Sequence, residues 1–271
     1  MAKTAARAQP TRFHELLRTL NVHGTLLRVY TQNVDGLELK SGISQYSTYG
    51  VYSENAVCVP LHGNIHQMRC PSCSSTFSTD AHINTLSNGN LPVCPTCDAS
   101  RASRAKLHLQ DRKTTSHLKP DIILYEEHHP LAEEIANIES QDMKHIDLLL
   151  VVGTSMKVDG IQHMIHKFSH TLQQKHGKKK APFFSSIYVN MELCSPKKAS
   201  TLFDCWIAGD CQLFAAILQM AVEQEVFKEV EMGQKPRRIL DDGNESEPMC
   251  RQRLAIANLR LDLRPLSRYY S

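Results

Sequence analysis

Two C-x-x-C pairs, Cys70/Cys73 and Cys94/Cys97, stand twenty residues apart and carry the most specific spacing in the chain. A tetrahedral zinc ion takes four thiolates, and a C-x-x-C turn sets two of them on one small knuckle. Pro71 and Pro95 occupy the same place in the two knuckles, as two copies of one tight turn require. Four thiolates leave no open position for water, so the ion is structural and the chemistry lies elsewhere. The nearest candidate is His62, which the apolar segment V-C-V-P-L delivers to a glycine-containing turn just before the metal module. Seams between modules tend to hold clefts, which favours a functional role for this histidine. His66, four residues before Cys70, is redundant as a ligand beside four thiolates.

The rest of the chain must position these groups. Its 271 residues suffice for one α/β core with a small satellite or for two compact domains, and a formal net charge of +3 is too mild to argue for nucleic acid. Outside the metal set remain Cys58, Cys194, Cys205, Cys211 and Cys250, an odd number that suggests a reducing compartment rather than a disulfide framework. The longest clean apolar run, Leu148 to Val152, is far short of a membrane span. The opening M-A-K-T-A-A-R-A-Q-P has no apolar core like that of a signal peptide, so an intracellular soluble protein is expected. Basic clusters at Lys178–Lys180 and Lys235–Arg238 read as solvated loops in preference to import signals.

Taken in order, Phe13, Leu16, Leu17 and Leu20 fall at helical spacing, and L-L-R-V-Y-T-Q reads as a buried strand ending in the turn N-V-D-G. Residues just past the carboxyl end of a parallel strand face the ligand crevice, which singles out Gln32, Asn33 and Asp35. Residues 37–56 read as a loop or short helix, and 74–93 hold too little apolar material to fold without metal. The basic, polar stretch 98–117 is expected to lead back to the main sheet. Ile122–Tyr125 reads as a strand, with Glu126 and Glu127 as loop contacts or caps behind it. Leu131–Met143 reads as a helix with Ile135 and Ile138 inward and its acidic residues outward. The run D-L-L-L-V-V at 147–152 is the strongest buried-strand signal and suits a central parallel strand. A Gly153-Thr154-Ser155 turn and a helix striped by Ile161, Met164, Ile165 and Phe168 follow. Later strands at 183–190 and 203–208 end at Asn190 and Gly209, ahead of a helix over 212–222. This alternation predicts a doubly wound sheet whose crevice accepts a nucleotide.

Together, T-Q-N-V-D-G-L-E at 31–38, L-H-G-N at 61–64, the cysteine pairs, K-P-D-I-I-L-Y-E-E-H-H-P, V-V-G-T-S-M-K-V, V-N at 189–190 and G-D-C at 209–211 resemble the sirtuins, NAD-dependent protein deacylases. The style of the first and fourth motifs is most like the fungal nuclear histone-deacetylase branch, and the likeness runs from about Thr11 to about Val222. The resemblance implies an α/β fold: a Rossmann-like parallel sheet with a small inserted zinc-ribbon domain. It implies the cofactors NAD and zinc, and an acetyl-lysine protein substrate such as histone, entering as an added strand beside Val158 and the segment around Ile123. By the same resemblance His62 is the general base, Asn33 orders ribose and water, Asp35 holds the nicotinamide carboxamide and Gln32 lines that pocket. Gly153, Thr154 and Ser155 then contact phosphate and ribose, and Asn190 and Cys211 flank the adenosine. The zinc set is Cys70, Cys73, Cys94 and Cys97. Nuclear localisation follows from the likeness, with the cytoplasm as the default otherwise; no direct nucleic-acid or membrane contact is expected.

Sirtuins carry a strand with a G-A-G-x-S phosphate turn and then a loop with D-F-R upstream of T-Q-N, and the thirty residues before Thr31 contain neither motif. The sheet is therefore expected to be incomplete at its N-terminus. The alternative function is a catalytically impaired sirtuin remnant that acts as a zinc-containing peptide-binding module. The expected organisation is a disordered lead at 1–10, a Rossmann-like NAD-binding domain at 11–60 and 119–224, a zinc-binding module at 61–118 and a C-terminal extension at 225–271.

Overall fold

The computed structural model describes residues 2–46, 56–107, 116–124, 127, 129–176, 184–231 and 264–265. In chain order its elements are α1 (Ala2–Arg7), α2 (Arg12–Val22), β1 (Val29–Thr31), α3 (Leu37–Lys40), β2 (Cys58–Pro60), β3 (Gly63–Arg69) and β4 (Thr76–Ser78). A 3-10 turn over Thr79–His82 leads to α4 (Ile83–Ser87), α5 (Pro95–Lys106), β5 (Lys119–Ile122), α6 (Ala132–His145) and β6 (Leu149–Val152). Then come α7 (Asp159–His176), β7 (Ser186–Asn190), α8 (Pro196–Leu202), β8 (Cys205–Ala208), α9 (Cys211–Glu231) and β9 (Arg264–Pro265). The chain divides into two compact units, one of Met1–Pro10 with Arg28–Ala132 and the other of Thr11–Leu27 with Glu133–Ser271.

In the first unit β1 and β2 run parallel, with Val29 opposite Cys58 and Thr31 opposite Pro60. β3 pairs antiparallel with β4 and with β5, and the β3–β5 register shifts between Asn64 and Met68. Arg69 bridges this pair by donating from Nε to Asp121 Oδ1 at 2.9 Å and from a terminal nitrogen to Oδ2 at 3.3 Å. Because Asp121 is buried, this two-toothed contact fixes β5 more firmly than a surface ion pair does. A small core of Met68, Cys70, Cys94 and Leu118, flanked by Phe77 and Leu86, underlies the metal module.

The second unit is an α/β sheet in which β6, β7 and β8 are parallel and β9 adds antiparallel to β8. Ile187 and Val189 of β7 join Leu16, Cys205, Phe214, Ala215, Leu218 and Val222 in one core, so α2 and α9 cover that face. Phe13 N donates to Gln212 Oε1 at 3.0 Å and Gln219 Nε2 to Thr19 Oγ1 at 2.8 Å, fastening the two helices along their length. Tyr188 points to the opposite face and stacks on Phe203, 5.2 Å between centroids. Ile161, Met164, Ile165 and Phe168 form the buried stripe of α7, as their spacing requires.

Several expectations are corrected. The lead expected to be disordered over 1–10 is helical from Ala2 to Arg7: its alanines favour helix, and Lys40 Nζ donates to the carbonyls of Ala6 and Ala8 at 2.9 and 2.7 Å. The stretch 98–117 begins inside α5, which has no buried residue and hence no apolar stripe to read; Pro95 at its first position and Cys94 as its cap start it instead. The acidic residues of α6 do not all face outward. Glu139 and Asp142 are buried, and Lys167 Nζ reaches Glu139 Oε2 at 3.1 Å. The run at 147–152 is paired only with β7 among the described residues, whereas β7 has neighbours on both sides and is the more buried strand. An apolar run reports covered faces, not the number of hydrogen-bonded neighbours. The strand expected over 122–125 ends at Ile122, and Tyr125 and Glu126 lie outside the described residues.

Residues 28–60 stand in the same unit as the metal module, so the expected boundary at residue 61 does not coincide with this division. Backbone bonds across the boundary account for it: Leu61 N donates to Thr31 O at 2.8 Å and Ile65 N to Val34 O at 2.9 Å. In the extension, α9 continues to Glu231 and Arg264–Pro265 pair with β8; the basic clusters at 178–180 and 235–238 lie outside the described residues.

Candidate active site and metal centre

In the first unit the candidate groups gather where β1 and β2 end side by side. Parallel pairing through Thr31 and Pro60 places Gln32 and Asn33 beyond one strand and Leu61 and His62 beyond the other, at the same edge. His62 is half-buried, its carbonyl accepts from Ile123 N at 2.9 Å, and its ring has no hydrogen-bond partner among the described residues. Gly63 follows with φ +83°, and a Cβ there would stand 2.2 Å from Asp121 O and 3.0 Å from Ile122 Cα. The close passage of β5 thus demands a glycine after the histidine.

The N-V-D-G turn is anchored from β3. Besides the bond from Ile65 N to Val34 O, the His66 Nε2 lies 2.7 Å from Asp35 O. A carbonyl can only accept, so this nitrogen carries the proton. Gly36 at φ +67° closes the turn, and a Cβ there would meet the His66 ring at 3.2 Å. Asp35 Oδ1 accepts from Leu37 N at 3.2 Å and starts α3, while Asn33 is exposed and takes a bond from its own N–H to Thr31 Oγ1 at 3.1 Å. Gln32 is half-buried. Sequence reasoning passed over His66 except as a redundant metal ligand; its spacing from Asp35 in sequence carries no local signal. Glu127, read as a cap, accepts from Leu124 N at 3.0 Å.

The four cysteines converge. Their Sγ atoms all lie within 4.8 Å of one another, with Cys70–Cys97 and Cys73–Cys94 each at 3.6 Å. Zinc–sulfur bonds of about 2.3 Å place tetrahedral thiolates about 3.8 Å apart, so the sulfurs fit that ion and are too far apart for disulfides. Burial pushes the Cys70 thiol up, but hydrogen bonds from Ser116 and from the N–H groups of Cys73 and Ser72 outweigh it and hold it at about 6. Cys97 is pushed up to about 12, first by the Cys73 sulfur beside it and then by burial. A crowded set of thiols keeps some of its protons until a cation replaces them.

In the second unit, Gly153–Ser155 and Gly209–Cys211 follow β6 and β8 and Asn190 ends β7, all at one edge of the parallel strands. Gly153 has φ +66°, and a Cβ there would meet nothing within 4 Å, so its backbone is open to a ligand. Thr154 Oγ1 accepts from Met156 N at 3.2 Å and supports Met156 at φ +54°, a left-handed conformation rare outside glycine. Ser155 is exposed; Asn190 and Cys211 are half-buried, the latter at the start of α9. Val158 has its carbonyl taken by Gln162 N at 3.0 Å.

A parallel α/β sheet with ligand-facing strand ends, together with a four-thiolate ribbon, defines an α/β protein with a structural zinc module. Residues 1–160 match the Sir2 family model, and the chain belongs to that family. It is 32% identical over 233 residues to the NAD-dependent histone deacetylase HST3 of Candida albicans, covering 81% of this chain and 46% of that protein. To HST3 of Saccharomyces cerevisiae it is 30% identical over 244 residues, covering 86% and 52%. The chain thus spans about half the length of these relatives. A solved Sir2–p53 peptide–NAD+ structure superposes with a TM-score of 0.56 at 19% identity, over 83% of this chain and 73% of that one, which establishes the shared fold.

Proposed function

We propose that the chain acts as an NAD-dependent protein lysine deacetylase, with acetylated histone as its substrate and the nucleus as its site of action. Names of its relatives support the activity class, and the titles of solved Sir2 structures include acetylated peptide and NAD+. The observation that carries the reading is the adjacent ending of β1 and β2, which brings His62 to the edge occupied by Gln32 and Asn33. When bound, NAD would supply an electrophilic ADP-ribosyl carbon with nicotinamide as its leaving group.

The chain's own groups divide the remaining work. The His62 ring accepts a proton from a ribose hydroxyl, the work of a general base. Asn33 orders ribose and water through its exposed amide, Asp35 holds the carboxamide, and Gln32 lines the same pocket. Gly153, Thr154 and Ser155 receive phosphate and ribose, and Asn190 and Cys211 flank the adenosine. Cys70, Cys73, Cys94 and Cys97 hold a zinc ion that staples the module and takes no part in the chemistry.

The test is His62→Ala assayed on an acetylated histone-tail peptide. Loss of a general base lowers NAD-dependent turnover by about 10²–10⁴-fold while zinc content stays unchanged. Unchanged turnover overturns the assignment. Acetyl-peptide binding without any NAD binding by the parent chain would instead favour the peptide-binding module.

A further inference from the structure

At the strand-end edge of the second unit, a chain of hydrogen bonds runs beneath the candidate nucleotide groups. Asn190 Nδ2 donates to the Tyr188 hydroxyl at 2.9 Å and to the carbonyl oxygen of Glu192 at 2.9 Å. A carbonyl oxygen can only accept, so the amide nitrogen must face inward; the flipped amide would set two acceptors against each other. The Tyr188 hydroxyl, having accepted from Asn190, gives its own hydrogen to Thr154 O at 2.8 Å, with a longer 3.4 Å approach to Glu192 O. Every donor direction in the chain is therefore determined. On the other side, Trp206 Nε1 and Gly209 N donate to the Asn190 main-chain oxygen at 3.2 and 3.3 Å.

One atom is left over. Both amide hydrogens of Asn190 are engaged, and among the described residues nothing donates to its Oδ1. Tyr188 itself is fully buried and stacked on Phe203, so its ring is fixed and its hydroxyl cannot wander. The same hydroxyl holds the carbonyl of Thr154, and so ties the Gly153–Ser155 turn to Asn190. A lone amide oxygen attracts a hydroxyl or amine donor and repels a phosphate, which at neutral pH offers acceptors almost alone.

We propose that Tyr188 is a positioning residue that presents Asn190 Oδ1 as an acceptor and holds the Gly153–Ser155 turn beside it, so that this edge selects its nucleotide through a sugar hydroxyl. The inference rests on the reading of this edge as nucleotide-binding with Asn190 at the adenosine, and adds to it the residue that orients that contact. Asn190 is the contact; Tyr188 acts through it.

The test uses the full chain and two probes, ADP-ribose and its analogue lacking the 2′ and 3′ hydroxyls of the adenosine sugar, titrated by calorimetry. The parent protein prefers ADP-ribose by about tenfold, the worth of one well-made hydrogen bond. In Tyr188→Phe this preference shrinks to about twofold, with the deoxygenated analogue bound as before. A purely structural role would weaken both probes equally, and that result overturns the proposal. Should Tyr188→Phe not fold, Asn190→Ala carries the same test: it too must lose the preference, and retention of it overturns the proposal. The ligand-free chain gives a separate reading by NMR. The Asn190 side-chain amide protons exchange slowly in the parent protein and faster in Tyr188→Phe, and equal exchange overturns the relay whatever the ligand. A parent chain that binds neither probe removes the nucleotide reading of the edge, and this selection falls with it.

Discussion

His66 Nε2 lies 2.7 Å from the carbonyl oxygen of Asp35, a bond that spans 31 residues of sequence and pins the N-V-D-G turn to β3. Its ring also packs against Gly36, so removal of the imidazole both strands a carbonyl and opens space. His66→Ala should destabilise the first unit by about 1–3 kcal/mol, read as a lower midpoint in chemical denaturation. Its zinc content should equal that of the parent, since the ring is an anchor and not a ligand.

Metal removal should act on the module and not on the second unit. Among the described residues around the cysteines, Met68, Cys70, Cys94 and Leu118 form the buried cluster, too little to fold without cross-linking. Chelation, or Cys94→Ser, should increase proteolysis within 70–118 and lower zinc by about one ion per chain. The β6–β8 sheet should keep its amide protection. Equal loss in both units would show that the metal supports the whole chain.

The Asp204 carboxylate gathers four hydrogen bonds in the second unit. Its Oδ2 accepts from Ser185 N and Oγ at 2.8 Å each, and from Ser186 N and Oγ at 2.9 and 3.0 Å. These bonds close the entry to β7 against β8. Asp204→Ala leaves several donors without a partner and should lower stability by about 2–3 kcal/mol, measured by urea unfolding. Asp204→Asn, which keeps one acceptor oxygen, should lose less.

Alkaline pH offers a further test. Burial, aided by the Asp204 carboxylate, pushes the Cys205 thiol from 9.0 up to about 11, and burial with the Glu38 carboxylate raises Cys58 in the same direction. The unfolded chain then releases these protons first. Stability conferred by the neutral thiols is fully present below pH 9 and is lost progressively as pH rises from 9 to 11. Urea midpoints should fall across that window, and Cys205→Ala should flatten the fall while lowering the plateau. In the folded protein at pH 8 neither thiol should react with a disulfide reagent.

The sequence is informative where a residue's neighbours in space are also its neighbours in the chain. The α7 stripe and the two cysteine knuckles are local patterns; the stripe is buried and the four sulfurs converge, each as its spacing requires. Helix α5 has no apolar face to betray it, and the burial of Glu139 depends on Lys167 from another helix, so neither could be read from a window. The same holds at the candidate site. Asn33 and Thr154 are marked by their turns, but the bonds that hold the first turn come from Ile65 and His66 and the bond that holds the second from Tyr188, each a residue of ordinary type in a strand. Order along the chain names the groups at an edge; only the folded pairing reveals what steadies them.

The 2.2 Å approach of Asp121 O to the place where Gly63 would carry a Cβ has a practical outcome for engineering. The codon after His62 is closed to every other amino acid, so a saturation library at this position should return glycine alone. Redesign of the metal module should accordingly treat the dipeptide and the crossing strand as a single inherited part, to be transplanted together or left untouched.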